Sequence, residues 1–458
     1  MTSRKTRPNN AALKLGQVVE LHFDDLLSNG QAVGRADGMA VFVFGPLPDE
    51  RARVRIATVK QNYAVGDVLE MLTTSPERAE PFCPVFGVCG GCQVQHLDYG
   101  AQLVWKRSVV QNALRRIGGL SDPDVKAMIG MTDPREYRNK MSLVVDHREN
   151  STGFGFYKQR SHDIVPITQC PIVQPALNDS IRALIELRAD AQAAQAFQSA
   201  RHVVGRTSLS SQENIVAITT PDRDRNVESL SAAMLQRLPH AAGIVESYDL
   251  RSENAILGRR TRTTAGKDSI EETVGGLRFK LSAGSFFQVN IEILERIFDA
   301  LASPAEKSRR IVDLYCGSGA FALHFARHAC DVFGVEENAR AISEARDNAE
   351  LNRLTDRVTF EVGRVEDVLL KPSGSKKLHA ADAVFLDPPR KGVEGHALSA
   401  IAEAGVASIW YLSCDPATLA RDLKFLLPKG YRLDGVQPFD MFPQTGHIES
   451  LAFLSREK

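Results

Sequence analysis

Three stretches near the end of this sequence set reactive side chains beside apolar runs of strand length. YLSCDPATLARDL places Cys414 between such a run and an Asp-Pro turn. FLDPPRKG places Asp387 ahead of two prolines, and GHIESLAFL places Glu449 at the head of a further run. An ionised cysteine is a strong nucleophile, so Cys414 is a candidate for covalent attack. A carboxylate partly withdrawn from water holds its proton more tightly and becomes a better base, the chemistry open to Glu449. Asp387 can accept a hydrogen bond or a proton. Each also has a plainer reading, because buried structural cysteines and solvated glutamates are common. Position favours chemistry: ligands of open α/β sheets gather at the carboxyl ends of strands, where Asp387 and Cys414 are expected.

A fourth stretch, IVDLYCGSGAFAL, runs from an apolar strand through a short glycine loop into a helix. Gly317 and Gly319 allow a ligand close to the backbone. The pattern is not the full fingerprint of dinucleotide binding, so a phosphate ligand is not indicated. The next apolar run, DVFGVEE, ends in Glu336 and Glu337, and an acid there suits ribose hydroxyls. The pair of features fits an S-adenosylmethionine-dependent methyltransferase and a generic nucleotide-binding Rossmann-like domain equally well. Arg390 follows the two prolines, where enzymes methylating an exocyclic adenine amine place an aromatic side chain. That counts against an amine target.

These groups need a frame. From about residue 270 the chain alternates strand-like and helix-like runs (RRIVDLYC, GAFALHFARHA, DVFGVEE, ARAISEARDNAELN, DAVFLDPP, ASIWYLSC). Such alternation predicts an α/β, doubly wound, mainly parallel sheet with amphipathic helices on both faces. Residues 1–74 hold short strand-like runs separated by Gly and Asp turns, which predicts a small β-barrel. Residues 75–269 mix strand-like runs such as KMSLVVDH, NIVAITT and AGIVESYD with helical runs over 95–117 and 177–197, and read as a central α/β domain.

The chain has 458 residues, too many for one ordinary core. It has no apolar leader and no run of about 18 apolar residues, so a cytoplasmic location without membrane contact is expected. Net charge is zero, so nucleic acid is not indicated by bulk charge. The short basic run of Arg4, Lys5 and Arg7 reads most simply as a solvated tail. Seven cysteines in a reducing compartment argue for metal or catalytic roles rather than disulfides. Cys83, Cys89 and Cys92 cluster in a Gly- and Pro-rich loop, and the distant Cys170, followed by Pro171, can supply a fourth thiolate. Four thiolates could hold zinc or a [4Fe–4S] cluster.

Taken together, SAGSFFQVN, DLYCGSG, LDPPRKG, YLSCDPATLARDL and DMFPQTGHIE resemble the RNA (uracil-5-)methyltransferases. CPVFGVCGGCQVQH and SHDIVPITQCPI are similar to the cluster pattern of the branch that acts on 23S ribosomal RNA at U1939. The resemblance covers nearly the whole chain. It implies Cys414 as nucleophile, Glu449 as base, and S-adenosylmethionine contacts from Gln288, Tyr315, Glu336 and Asp387. From the residues alone, Gln288 is an ordinary polar residue and Tyr315 a core aromatic. The resemblance further implies a [4Fe–4S] cluster on Cys83, Cys89, Cys92 and Cys170, and a TRAM domain as the barrel. It also implies that the helix over 95–118 packs on the catalytic domain, that the partner is RNA, and that no obligate protein partner is needed. One departure is Ala320, where the ribosomal enzymes carry a polar residue. The T-loop transfer RNA enzymes are the alternative, although they typically lack barrel and cluster. RNA cytosine-5 enzymes use two cysteines in Pro-Cys and Thr-Cys contexts, a pair this chain does not show. An inactive RNA-binding assembly factor would lack Cys414 or Glu449.

Overall fold

The computed structural model describes residues 13–148, 153–252, 255–329 and 331–457. The basic run Arg4, Lys5 and Arg7 lies outside the described residues. The chain divides into two compact units. One takes in residues up to Lys106 together with Gln444–Gly446, and the other holds Arg107–Pro443 and His447–Lys458. Among the described residues no helix is long and apolar enough to cross a membrane.

In the first unit five strands close a barrel: Val18–Leu26, Gln31–Ala36, Met39–Phe44, Tyr63–Thr73 and Arg51–Val59, in that order around it. Alternation builds it. Arg51–Val59 turns Ala52, Val54 and Ile56 inward and its arginines outward, with period two. Closure leaves no free edge in so small a sheet. The strand Gln31–Ala36 was not legible in the sequence, since QAVGRA is short, glycine-broken and weakly alternating. Gln444–Gly446 also belong to this unit. The Gln444 carbonyl accepts from the N–H groups of Gln93 and Val94, at 3.0 and 3.1 Å. The buried Gln102 amide donates to Gln444 Oε1 at 3.0 Å and accepts from the Gln444 N–H at 3.2 Å.

The helix Tyr99–Arg116 starts in the first unit and continues into the second. The second unit carries two seven-stranded sheets and a hairpin between them. The first sheet runs Arg260–Gly266, Ala241–Tyr248, Asn214–Thr219, His202–Thr207, Lys140–Val145, Phe154–Tyr157 and Ile164–Pro166. The hairpin, Ser269–Val274 with Leu277–Ser282, turns at Gly275 and Gly276, both at positive φ. The second sheet is ordered Val358–Val362, Asp331–Glu336, Arg310–Leu314, Ala383–Leu386, Ser408–Ser413, Glu449–Arg456 and Tyr431–Phe439. Its first five strands are parallel, and the last two are antiparallel. The switch in strand order falls beside Arg310–Leu314, so the carboxyl ends of that strand and of Ala383–Leu386 flank a crevice. One apolar core contains Val204, Ile215 and Val245 of the first sheet as well as Phe279, Phe298, Phe325 and Trp410. Residue 270 therefore marks a change of sheet but not of core.

Candidate active site

Gln288, Tyr315, Glu336, Asp387, Cys414 and Glu449 all line one cavity of about 770 Å³. That volume suits a nucleoside-sized ligand with room for a second small group.

The donor side is built by the turn after Arg310–Leu314. The N–H groups of Tyr315 and Cys316 both donate to the Val335 carbonyl, at 2.9 and 3.0 Å. This pulls the loop against the neighbouring strand. Tyr315 takes φ 70°, a left-handed conformation that is unusual outside glycine, and Gly317 and Gly319 continue the turn at φ 53° and 87°. Glu336, at the end of Asp331–Glu336, is anchored at both oxygens. One accepts from Gly317 N–H at 3.2 Å and the other from Asn338 N–H at 2.9 Å. Its carboxylate therefore lies against the glycine loop, where a ribose could meet it. Ala320, the first residue of the following helix, also lines the cavity. Gln288 is buried, and its carbonyl accepts from Asn139 Nδ2 at 3.2 Å.

The acceptor side holds three acids and one cation. Cys414 sits in the turn between Ser408–Ser413 and the helix Pro416–Leu426. Asp415 caps that helix through the N–H groups of Ala417 and Thr418, both at 2.9 Å, and Pro416 occupies its first turn. Glu449 opens the strand Glu449–Arg456. It is buried, and Oε2 has no hydrogen-bond partner. A buried carboxylate oxygen without a partner is costly unless it is protonated or awaits a ligand. Burial pushes the Asp387 carboxyl up to about 7. Burial, and then the nearby Asp387 charge, push Glu449 well above the usual carboxylate range, while Arg390 works the other way. Burial first, then Glu449 and Asp387, push the Cys414 thiol up to about 12, again opposed by Arg390. One guanidinium balances about one negative charge, so the Asp387 and Glu449 carboxyls titrate together.

Sequence reasoning gave no site role to Phe286, Arg390 or His447, which also line the cavity. Phe286 is 73% exposed and borders the cavity, presenting an aromatic face at its mouth. A phenylalanine in an apolar stretch reads as core, and only its neighbours in SAGSFFQVN hinted otherwise. Arg390 reaches His447, with Nη2 3.1 Å from Nδ1, and His447 packs edge-on against Phe442. Only Ile448 separates His447 from Glu449, but a histidine in a turn carries no periodic signal.

The cysteine loop is a different matter. Cys83, Cys89 and Cys92 are partly buried cysteines of the first unit, whereas Cys170 belongs to the second. Cys89 Sγ accepts from Gly91 N–H at 3.4 Å, and Cys83 contributes to raising the Cys89 pKa after burial itself. A thiolate set with an amide aimed at sulfur has the right chemistry for iron or zinc. Among the described residues, however, no three His, Cys, Asp or Glu side chains are arranged to hold a metal ion.

The chain matches the family model described as tRNA (Uracil-5-)-methyltransferase over residues 98–457, and that of the TRAM domain over residues 12–69. An RNA methyltransferase of Halalkalibacterium halodurans is 38% identical over 97% of this chain and 98% of its own length. One from Listeria monocytogenes is 37% identical over 96% and 98%. Among solved structures, the Pyrococcus abyssi tRNA (uracil-54, C5)-methyltransferase in complex with S-adenosyl-L-homocysteine superposes with a TM-score of 0.74. It is 24% identical and covers 95% of this chain and 100% of its own, which shows a common fold. The chain belongs to the tRNA (uracil-5-)-methyltransferase family and carries a TRAM domain as its N-terminal barrel.

Proposed function

We propose that the chain methylates carbon 5 of a uridine in 23S ribosomal RNA from S-adenosylmethionine, in the cytoplasm, through a transient bond between Cys414 and the uracil. The observation that carries this reading is a single cavity holding Cys414, Asp387 and Glu449 on one side and the glycine loop with Glu336 on the other. Gln288, Tyr315, Glu336 and Asp387 are the residues that would hold the donor. When bound, the donor supplies an electrophilic methyl group on a sulfonium.

Carbon 5 of uracil is a poor nucleophile. Attack of Cys414 Sγ on carbon 6 forms the S–C6 bond and pushes the C5–C6 π pair toward O4, which makes carbon 5 electron-rich. The thiol's proton passes to Asp387, whose pKa near 7 suits it as an acceptor, and Glu449 is left to act as the base. Arg390 stabilises the negative charge that results. After methylation, Glu449 in its ionised form takes the C5 proton. The C–H pair restores the C5–C6 double bond and Sγ departs. A base in a folded RNA must leave its stack to enter such a cavity, and Phe286 at the mouth offers it a new face to lie on.

Incubation of wild type and Cys414→Ala with labelled donor and unmodified 23S transcript tests the assignment. The variant should incorporate no methyl, and equal incorporation by the two would overturn it. Transfer RNA is the second reading, favoured by the fold shared with the archaeal enzyme, and a transfer RNA transcript in the same assay decides between them. We further propose that Cys83, Cys89, Cys92 and Cys170 ligate a [4Fe–4S] cluster. The donor chemistry of the loop supports this, and iron and sulfide analysis of protein prepared without oxygen tests it.

A further inference from the structure

The strands Lys140–Val145 and His202–Thr207 pair antiparallel with Lys140 directly opposite Arg206. Directly opposed residues project from the same face of a sheet, and like charges there repel. Here both are also withdrawn from water. Arg206 is 0% exposed. Its Nη2 donates to the Ser285 carbonyl at 2.6 Å, while Nε and Nη1, equally buried, have no partner among the described residues. Lys140 is partly buried, and among the described residues no carboxylate stands within ion-pair distance of its amine. Arg138 adds a third cation, its Nε donating to the Lys140 carbonyl at 3.1 Å. Burial, followed by Arg206 and Arg138, lowers the Lys140 pKa to about 7.

Glu344 and Glu272 offset part of the charge on Arg206, and Glu344 part of that on Lys140, but their oxygens are engaged elsewhere. Glu272 spends its oxygens on the N–H groups of Leu209, Ser210 and Thr273. Glu344 accepts from Ser282 Oγ at 2.8 Å and forms no ion pair with Arg206 or Lys140. Ser285 and Glu344 both line the cavity, so the cations stand directly behind its wall. A buried and a partly buried cation, directly opposed and paired with no carboxylate among the described residues, form a site that favours a further anion.

We propose that Lys140 and Arg138, with Arg206 behind them, bind a backbone phosphate of the RNA strand whose uridine enters the cavity. The proposal rests on the reading of RNA as substrate. A nucleotide unstacked into a pocket brings its own flanking phosphates to the rim, and one of them supplies the missing charge. The phosphate accepts from the Lys140 ammonium and restores its proton affinity, while the fully buried Arg206 adds its charge from behind. The carboxylate of the methyl donor is the other oxyanion that could come near.

The test uses the full chain and filter binding of labelled, unmodified 23S and transfer RNA transcripts over a series of potassium chloride concentrations. Removing one cation that neutralises a phosphate lowers the slope of log affinity against log salt by ~0.7 to 1. Lys140→Met should lose that much slope and bind roughly threefold to tenfold more weakly at low salt. Its melting temperature should not fall, because a buried repulsion has been removed. Lys140→Arg should keep the slope, and S-adenosylhomocysteine should bind all three proteins alike by calorimetry. Should Lys140→Met not fold, Lys140→Gln serves in its place. An unchanged slope in the folded variant would overturn the proposal, as would weakened S-adenosylhomocysteine binding with RNA binding intact. Methyl transfer by the wild type is scored separately. Its failure would sink the reading of the reaction and leave the salt slopes to decide this one.

Discussion

Asp387→Asn should make the protein more stable, and only above about pH 4. Burial lifts the Asp387 carboxyl from its ordinary 3.8 to about 7. A carboxyl whose pKa is higher in the folded chain binds its proton more tightly there. Its contribution to stability is therefore complete below the ordinary value and is lost as the pH climbs from about 4 to about 7. Three units correspond to roughly 4 kcal/mol at about 1.4 kcal/mol per unit. Glu449 shares the site, and its own protonation relieves part of the cost, so a gain of roughly 2 to 4 kcal/mol above pH 7 is expected. Asparagine is nearly isosteric, fills the same space and carries no titrating charge. Near pH 4 variant and wild type should coincide. Urea denaturation at a series of pH values measures the difference. The two tryptophans fall in different units, Trp105 in the first and Trp410 in the second. A Trp105→Phe background therefore lets Trp410 report the unit that contains the site. Methyl transfer should be lost as stability is gained, the usual trade at a site built to hold charge. Equal midpoints for variant and wild type above pH 7 would refute the argument, because the buried carboxylate would then cost nothing to ionise.

Glu449→Gln should trap a covalent protein–RNA adduct visible on denaturing gels, since sulfur addition and methylation proceed but the C5 proton has no acceptor; absence of the band with donor present would exclude Glu449 as base. Cys89→Ser should yield colourless protein with little iron when prepared without oxygen, and a zinc-loaded, colourless wild type would remove the cluster from consideration. Gly446→Ala should destabilise the first unit, because a Cβ there would stand 1.6 Å from the Ser28 carbonyl oxygen. A loss of a few kcal/mol is expected from so close a backbone clash, and an unshifted melting curve would contradict it.

The catalytic sheet was legible because its strands are apolar runs with chemistry at their ends. RRIVDLYC, DAVFLDPP and ASIWYLSC each stop where the site begins. The outer strand Val358–Val362 was not, since VTFEV is short and interrupted by Glu361. His202–Thr207 escaped for a more instructive reason. HVVGRT carries a histidine, a glycine and an arginine, yet all six residues are buried. Gly205 fits under Met141 and Leu177, and Arg206 is tolerated because it meets the Ser285 carbonyl. Neither fact exists until the tertiary contacts do. The same holds for Phe286, whose exposure contradicts the usual habit of its residue type. Of the cysteine loop, the residue types were legible, but a spacing of thiols does not fix where a distant fourth one goes.

Gln444–Gly446 belong with the barrel, while the residues on either side of them do not. The backbone thus crosses the domain boundary three times rather than once. A fragment beginning after Lys106 would keep this turn but lose Gln93, Val94 and Gln102, the groups that satisfy its amides and carbonyls. The turn lies just ahead of Glu449, so trimming the N-terminal module should loosen the start of the strand that carries Glu449.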